Sequence, residues 1–443
     1  MQNILVLGAG LSSSSLIRYL LENASTYNWQ VRIVDQNYET VKAKIGSNPH
    51  GIALSFNALD RQERLPEIQN ADLVISMLPA RFHVEVAEDC IHCHKNLITP
   101  SYVSPEMREL DQRAKEAGIL ILNEIGVDPG IDHMSAMKII DEIKAEGGEV
   151  LSFKSYCGGL MSPESDDNPW NYKFTWNPRN VVLAGQGSAA KFIRNGRYKY
   201  IPYNQLFTRL DAIEIDGFGT FEGYSNRDSL SYRSIYGIDD IQTIFRGTLR
   251  RTGYCEAWNI FVQLGMTDDS YIIDEAENLT ARTFLNTYLP YMEDESVEDK
   301  FDRLYTKGNT ELFNKFSWLD LFDDSKIIGF KDATPAQLLE KILVQKWTLK
   351  PEDKDMLVMY HEFVADFNGT QQKITSSMVN IGENQVYTSM SNTVGLPVAI
   401  AAKMILTEKI KISGVQIPVI SEIYEPILEE LSTFGIDFIE IKH

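Results

Sequence analysis

Cysteine is scarce in this chain of 443 residues: there are four, at positions 90, 93, 157 and 255. So few and so scattered, they exclude a disulfide framework and point to a reduced compartment. Basic residues are outnumbered, 42 against 62 acidic, for a formal charge of −20. That balance argues against nucleic acid and anionic membranes as partners, since both need a basic surface to neutralise phosphate. Although 44% of residues are hydrophobic, no uninterrupted apolar run approaches the ~20 residues that span a bilayer. Repeats and low-complexity segments are absent too. The sequence opens on a strand rather than a signal peptide, so cytoplasmic residence is the expectation.

One metal-like pattern needs separate treatment. Cys90-Ile91-His92-Cys93-His94 has the spacing of covalent haem attachment and also suggests zinc. It reads instead as the end of a helix, Val84 to His94, between two strands, with no second ligand pair. No metal is expected.

What is present starts at the first residue. Met1-Gln2-Asn3-Ile4-Leu5-Val6-Leu7-Gly8-Ala9-Gly10 is an apolar strand running into a glycine turn, followed by a helix from about Leu11 to Leu21. Glycines at 8 and 10 let the backbone turn tightly and approach a pyrophosphate, whose charge lies at the helix N-terminus. Gly8, Gly10, Leu11, Ser12 and Ser13 are therefore expected at a dinucleotide. The third glycine of the fingerprint is Ser13, within Ser12-Ser13-Ser14-Ser15; serine is small enough for helix-to-strand packing, and its hydroxyl can cap the helix or bond phosphate.

A second strand, Val31 to Val34, ends in Asp35, where an acidic side chain accepts hydrogen bonds from a ribose 2′-hydroxyl and repels a 2′-phosphate. NAD is favoured over NADP on that reading. The alternative is a strand-end aspartate that only caps the next turn.

Further strands are expected at Ala71 to Met77, Asn96 to Thr99 and Ile119 to Asn123, with helices between most of them. The fold class is therefore α/β, a doubly wound parallel sheet whose ligands bind beyond the carboxyl ends of its strands. Ser76-Met77-Leu78-Pro79 and Ser101-Tyr102 lie past two such ends, so Ser76 and Leu78 join the expected cofactor contacts. Residues 123–133, NEIGVDPGIDH, lie past a third and add Val127; Asp132 is a plausible N-cap for a helix Met134 to Ala145.

At its length the chain exceeds one compact domain, and two or three of ~100–200 residues are expected. The texture changes near Phe153 to short aromatic β segments, and about Ala257 to Asp366 reads mostly as helices under an acidic surface. An apolar helix, Leu396 to Leu406, follows a turn at Thr393-Val394-Gly395 and is expected to pack back on the first domain.

The chain resembles the glutamate-forming saccharopine dehydrogenase family. The resemblance is carried by Ser101-Tyr102-Val103-Ser104-Pro105, by NEIGVDPGIDH at 123–133, SYCGGL at 155–160, DNPWNYKFTW at 167–176, NRDS at 226–229 and RGTLR at 246–250, and by TVGLPVAIAAKMIL at 393–406 and IPVISEIYEPIL at 417–428. It is weakest over about 266–380.

The resemblance implies a Rossmann domain over 1–131, an inserted α/β substrate-binding and dimerisation domain over 132–390 with a helical insertion at about 266–370, and a C-terminal segment, 391–443, that completes the first domain. It also implies a homodimer and reversible oxidation of saccharopine, with NAD or NADP, to glutamate and aminoadipate semialdehyde. An anionic substrate in an acidic protein requires arginines in its pocket, each holding a carboxylate by two parallel bonds. Arg227 and Arg250 match family substrate positions, with Thr248 adding a hydroxyl and Leu249 between them. Tyr102, Asp128 and Cys157 match positions around the reacting amine and are the candidates for proton handling; Tyr102 and Asp128 also count as substrate contacts. Each has a plainer reading, as a packing aromatic, the start of a proline turn and a small buried hydrophobe. Lys173 and His133 are weaker candidates. Two other functions stay open: coupling of a different amine, as in carboxynorspermidine dehydrogenases, and a non-catalytic NAD-binding scaffold.

Overall fold

The computed structural model describes residues 1–443. Six short strands fall in the first 122 residues: β1 (Gln2–Leu7), β2 (Trp29–Asp35), β3 (Gly51–Ser55), β4 (Leu73–Ser76), β5 (Asn96–Ile98) and β6 (Leu120–Leu122). All pair in parallel, in the order β6-β5-β4-β1-β2-β3, and Gly414–Gln416 adds a seventh strand beside β6. The runs are apolar because both faces are covered. Leu5, Leu7, Val34, Val74, Val86, Leu97 and Ile121 belong to one buried cluster. Chain order reverses between β1 and β4, which creates the crevice beyond their carboxyl ends where such sheets take ligands.

This doubly wound sheet is the expected one with added detail. β3 was not foreseen, being half-buried and short. The first helix is entered through a single tight turn, Leu11–Ser13, and then runs over Ser14–Tyr27. The helix after the 123–130 loop begins at Ile131 with Gly130 as its N-cap, not at Met134 with Asp132; the Asp132 carboxylate instead accepts the Gly130 N–H at 2.6 Å. Thr393-Val394-Gly395 is not a turn but the interior of the helix Ser389–Leu406. By length and composition that helix is apolar enough to cross a membrane, yet 83% of it is buried in the protein.

Two compact units emerge: Met1–Leu151, Ser234–Asp239 and Met359–His443 form the first, and Ser152–Arg233 with Asp240–Val358 the second. The boundaries expected at 131 and 391 therefore move. The helix Ile131–Ala145 belongs to the first unit, and the chain returns to it at Met359. The first and last crossings fall inside strands, one in β7 (Glu149–Met161) and one in Asp355–Phe367, and between them the chain visits the first unit briefly at Ser234–Asp239. The stretch 355–366, expected to be helical, is strand because its burial alternates: Met359, His361, Phe363 and Ala365 are buried with less buried residues between them.

In the second unit β7 pairs in parallel with β12 (Thr243–Arg251). The intervening strands are β8 (Ala190–Arg194), β9 (Arg197–Ile201), β10 (Leu210–Ile215) and β11 (Gly219–Ser225), of which β11 lies antiparallel to both β10 and β12. Helices Tyr254–Leu264 and Pro335–Trp347 contribute to an aromatic core in which Trp170, Phe261, Phe316 and Trp347 meet at ring distances of 5.2–5.7 Å.

Candidate active site

The first unit forms a tight glycine turn at the end of β1. Gly8 adopts φ +101°, and a Cβ there would stand 3.1 Å from the backbone of Met77, so the residue must be glycine. A Cβ on Gly10 would meet nothing within 4 Å. The space above the turn is thus open, beside the first N–H groups of the helix, which by geometry have no partner inside it. These are the properties a pyrophosphate needs. Leu11 is exposed and Ser12 half-buried at that turn, whereas Ser13 is buried and donates from Oγ to the Gly10 carbonyl at 2.8 Å. The helix Ser389–Leu406 closes the turn from behind: Ser15 N–H donates to Ser391 Oγ at 2.9 Å, and a Cβ on Gly395 would lie 2.8 Å from Leu16 N.

Asp35 is half-buried, and its carboxylate accepts the N–H of Ala9 at 2.9 Å and of Asn37 at 3.0 Å. Both readings of this residue are compatible with that geometry, since each oxygen retains acceptor capacity. Leu78 and Val127 lie near β4 and in the 123–130 loop, half-buried and buried respectively. Ser76 is placed differently from its expected role. It is fully buried, and its Oγ lies 2.9 Å from Nδ1 of His83, so its side chain faces that histidine and not a cofactor.

His83 escaped the sequence reading. Its Nε2 lies 2.8 Å from Ser101 Oγ and 2.9 Å from Thr99 Oγ1, so one imidazole ties together the ends of β4 and β5. Burial pushes its pKa down to about 4, and three hydroxyl partners suit the neutral ring.

Tyr102 stands next in the chain, 47% exposed, with its phenol donating to Asp128 Oδ1 at 3.1 Å. Glu124 grips both of its neighbours: the Glu124 N–H donates to the Ser101 carbonyl at 3.0 Å, and Glu124 Oε1 accepts the Val103 N–H at 2.9 Å. The other carboxylate oxygen lies 2.8 Å from His133 Nε2, whose Nδ1 is 2.6 Å from the hydroxyl of Tyr236. Glu124, His133 and Tyr236 are all buried. His133 is thus a support for the tyrosine segment, and Glu124 a residue whose only sequence signal was an acid inside a glycine-and-proline turn.

The second unit carries the arginines. Thr248, Leu249 and Arg250 lie on β12, with Thr248 in register with Cys157 of β7 and with Tyr224 of β11. Alternation sends Thr248 and Arg250 to one face and Leu249 to the other. Leu249 is fully buried there, leaving its carbonyl, which accepts from Arg250 Nη1 at 2.8 Å, as its polar contribution. Arg250 is 5% exposed, and its guanidinium carbon lies 5.0, 5.3 and 5.9 Å from the ring centres of Tyr172, Tyr254 and Tyr224. Burial raises the pKa of all three phenols, so they remain neutral and supply no counter-charge. Arg250 Nε has no hydrogen-bond partner. Glu222, opposite it in register, spends its oxygens on the N–H groups of Gly253 and Cys255. A buried cation without an anion is costly, and an anionic ligand is what would satisfy it.

Arg227 is exposed on a loop whose backbone is fixed: Asn226 N–H donates to the Arg246 carbonyl at 2.8 Å, and Lys191 N–H to the Arg227 carbonyl at 2.7 Å. Asp228 pairs with Lys191 at 2.8 Å, leaving the guanidinium beside it for an outside partner. Cys157 is a buried thiol in the sheet, outside any disulfide. Lys173, the weaker candidate, is bound to Asp353 at 2.8 Å and Asp167 at 2.7 Å, which makes it a structural ion pair. Cys90 to Cys93 lie in the helix His83–Cys93, with Cys90 in the core.

Two family models match. One described as the saccharopine dehydrogenase NADP binding domain covers residues 4–122, and one described as the saccharopine dehydrogenase C-terminal domain covers 126–436. Saccharopine dehydrogenase [NADP(+), L-glutamate-forming] of Saccharomyces cerevisiae is 34% identical over 97% of this chain and 96% of that protein. The mitochondrial alpha-aminoadipic semialdehyde synthase of Mus musculus is 35% identical over 99% of this chain, which spans 47% of the length of that relative. Among solved structures, apo histidine-tagged saccharopine dehydrogenase (L-Glu forming) from Saccharomyces cerevisiae superposes with a TM-score of 0.90, at 33% identity and full coverage of both chains. A homospermidine synthase from Legionella pneumophila, at 9% identity and a TM-score of 0.58, shares the fold.

Proposed function

The chain belongs to the saccharopine dehydrogenase family, and on that footing we propose that it oxidises saccharopine reversibly to glutamate and 2-aminoadipate 6-semialdehyde. A bound nicotinamide dinucleotide supplies the hydride acceptor. The glycine turn of β1 receives its pyrophosphate, and Asp35 receives the adenosine ribose, so the enzyme prefers NAD even though the Saccharomyces cerevisiae relative is named for NADP(+) and the family model over residues 4–122 is described as NADP binding.

The chain's own residues do the rest. Arg250 and Arg227 bind carboxylates of the substrate, Arg250 as a caged charge and Arg227 as a fixed, exposed one, with the Thr248 hydroxyl near the first. Loss of hydride from the substrate carbon leaves an imine; water adds to it, and the C–N bond breaks to release glutamate. Protons must leave and return during that sequence. The Tyr102–Asp128 pair offers a phenol and a carboxylate already joined by a hydrogen bond, and Glu124 keeps the tyrosine in place. Cys157, in register with Thr248, is the third candidate for proton handling.

The single observation that carries this reading is the unmatched, buried guanidinium of Arg250 in a protein with a net charge of −20. The test is to supply saccharopine with NAD or NADP and follow both nicotinamide reduction and glutamate release at mildly alkaline pH. Stoichiometric glutamate is the expected result. Nicotinamide binding without turnover would make the protein a cofactor-binding scaffold, and reductive coupling of a semialdehyde to a diamine would move it to another amine.

A further inference from the structure

The lysine nearest the glycine turn has no role in the reading above. Lys44 comes from the helix Tyr38–Ile45 after β2, and its Nζ donates to the Gly10 carbonyl at 2.6 Å, to Ser14 Oγ at 2.8 Å and to Ser13 Oγ at 3.2 Å. An ammonium has three protons, and this one has three acceptors. All three belong to the turn and the first helical residues. The serine that replaces the third fingerprint glycine thereby gains a purpose: Ser13 donates to the Gly10 carbonyl and accepts from Lys44.

We propose that Lys44 is a positioning residue of the dinucleotide site, a fixed cation that locks the Gly8–Ser14 turn in the form that receives phosphate and adds positive charge there. This rests on the assignment of the turn to a dinucleotide, not on the identity of the amine substrate. Lys44 acts through the turn rather than by its own phosphate bond, because its protons are already committed. The turn Leu11–Ser13 and the first turns of the helices Ser14–Tyr27 and Ser389–Leu406 carry no acidic residue. On its own helix Glu39 and Lys42 are exposed. Asp35 at the end of β2 is the charged group that acts on it.

A consequence follows for pH. Burial lowers the Lys44 pKa to about 8, against the opposing pull of Asp35. The ammonium is complete at neutral pH and is lost as pH rises through that value, and cofactor affinity falls with it.

The experiment is calorimetric titration of the purified protein with NAD+ and with NADP+ from pH 6.5 to 9.5, without substrate. For wild type, Kd is expected to weaken about three- to tenfold above pH 8, the size of one charge acting across partly solvated space. Lys44→Arg, whose guanidinium stays charged, is expected to flatten that dependence, and Lys44→Met to show the weakened Kd at every pH. An unfolding scan on each variant separates loss of the turn from loss of the fold: an unchanged Tm with unchanged Kd in Lys44→Met overturns the proposal. So does a wild-type pH profile that Lys44→Arg retains. Failure of saccharopine turnover with this binding profile intact would count against the substrate assignment alone.

Discussion

The phenol of Tyr102 donates to the carboxylate of Asp128 across 3.1 Å, and the two sit in the loops that follow β5 and β6. The pair is the one place in the first unit where two candidates for proton handling already touch. Tyr102→Phe removes the hydroxyl and keeps the ring. It is expected to lower kcat about a hundredfold while leaving the Kd for NAD+ within twofold. An unchanged kcat would reduce Tyr102 to a packing aromatic.

The two arginines are expected to fail differently. Arg250→Met conserves bulk inside the tyrosine cage but removes the charge, so KM for saccharopine rises about a hundredfold, the value of a charge-assisted, two-bond contact. Because the substitution also relieves an unpaired buried cation, Tm holds or rises. Arg227→Ala on its exposed loop is expected to raise KM about tenfold, with Tm unmoved. If both variants lose cofactor affinity as much as substrate affinity, the carboxylate role is wrong.

Asp35→Ser tests the ribose. A serine hydroxyl carries no repulsion toward a 2′-phosphate, so the ratio of NADP+ to NAD+ affinity is expected to rise by about tenfold or more. Should the ratio stay constant, the carboxylate serves the N–H groups of Ala9 and Asn37 and nothing else.

His83 gives the fold an acid-side weakness. In the folded state its pKa falls to about 4, below the ordinary value of 6.5, so the unfolded chain binds the proton first. Stability is complete above pH 6.5 and is lost as pH falls from there toward 4, by up to about 3 kcal/mol for this one group. Chemical denaturation at pH 7 and pH 5 should show that slope in wild type and a shallower one in His83→Gln. Equal slopes would mean that other groups dominate the acid limb.

What could be read from the sequence was what repeats locally. The strands of the first sheet announce themselves as apolar runs, the turn as Gly8 and Gly10, and the arginines by the segments around 227 and 250. Lys44 gave no such sign, since its partners lie 30 to 34 residues earlier and a lysine on a short helix ordinarily faces water. His83 lies just before the expected helix Val84 to His94 and carries no signal of its own; only the fold brings Ser76, Thr99 and Ser101 around it. Tyr236 reaches His133 across 103 residues of chain. The strand at 355–367 is hidden in the sequence because two of its inward positions are His361 and Ala365, which break the visible alternation of large apolar residues.

The way the chain enters and leaves the second unit, in mid-strand, limits how the protein can be taken apart. A fragment covering 152–358 would sever β7 at its third residue and the returning strand at its fourth. Both stubs would bare backbone donors and acceptors that invite adventitious pairing. Shuffling of this region between homologues is therefore best attempted with junctions beyond both strands, in the Glu146–Gly148 bend and the Asn368–Gly369 hairpin tip, where neither strand is cut and the hairpin partner Thr370–Ile381 stays with the host.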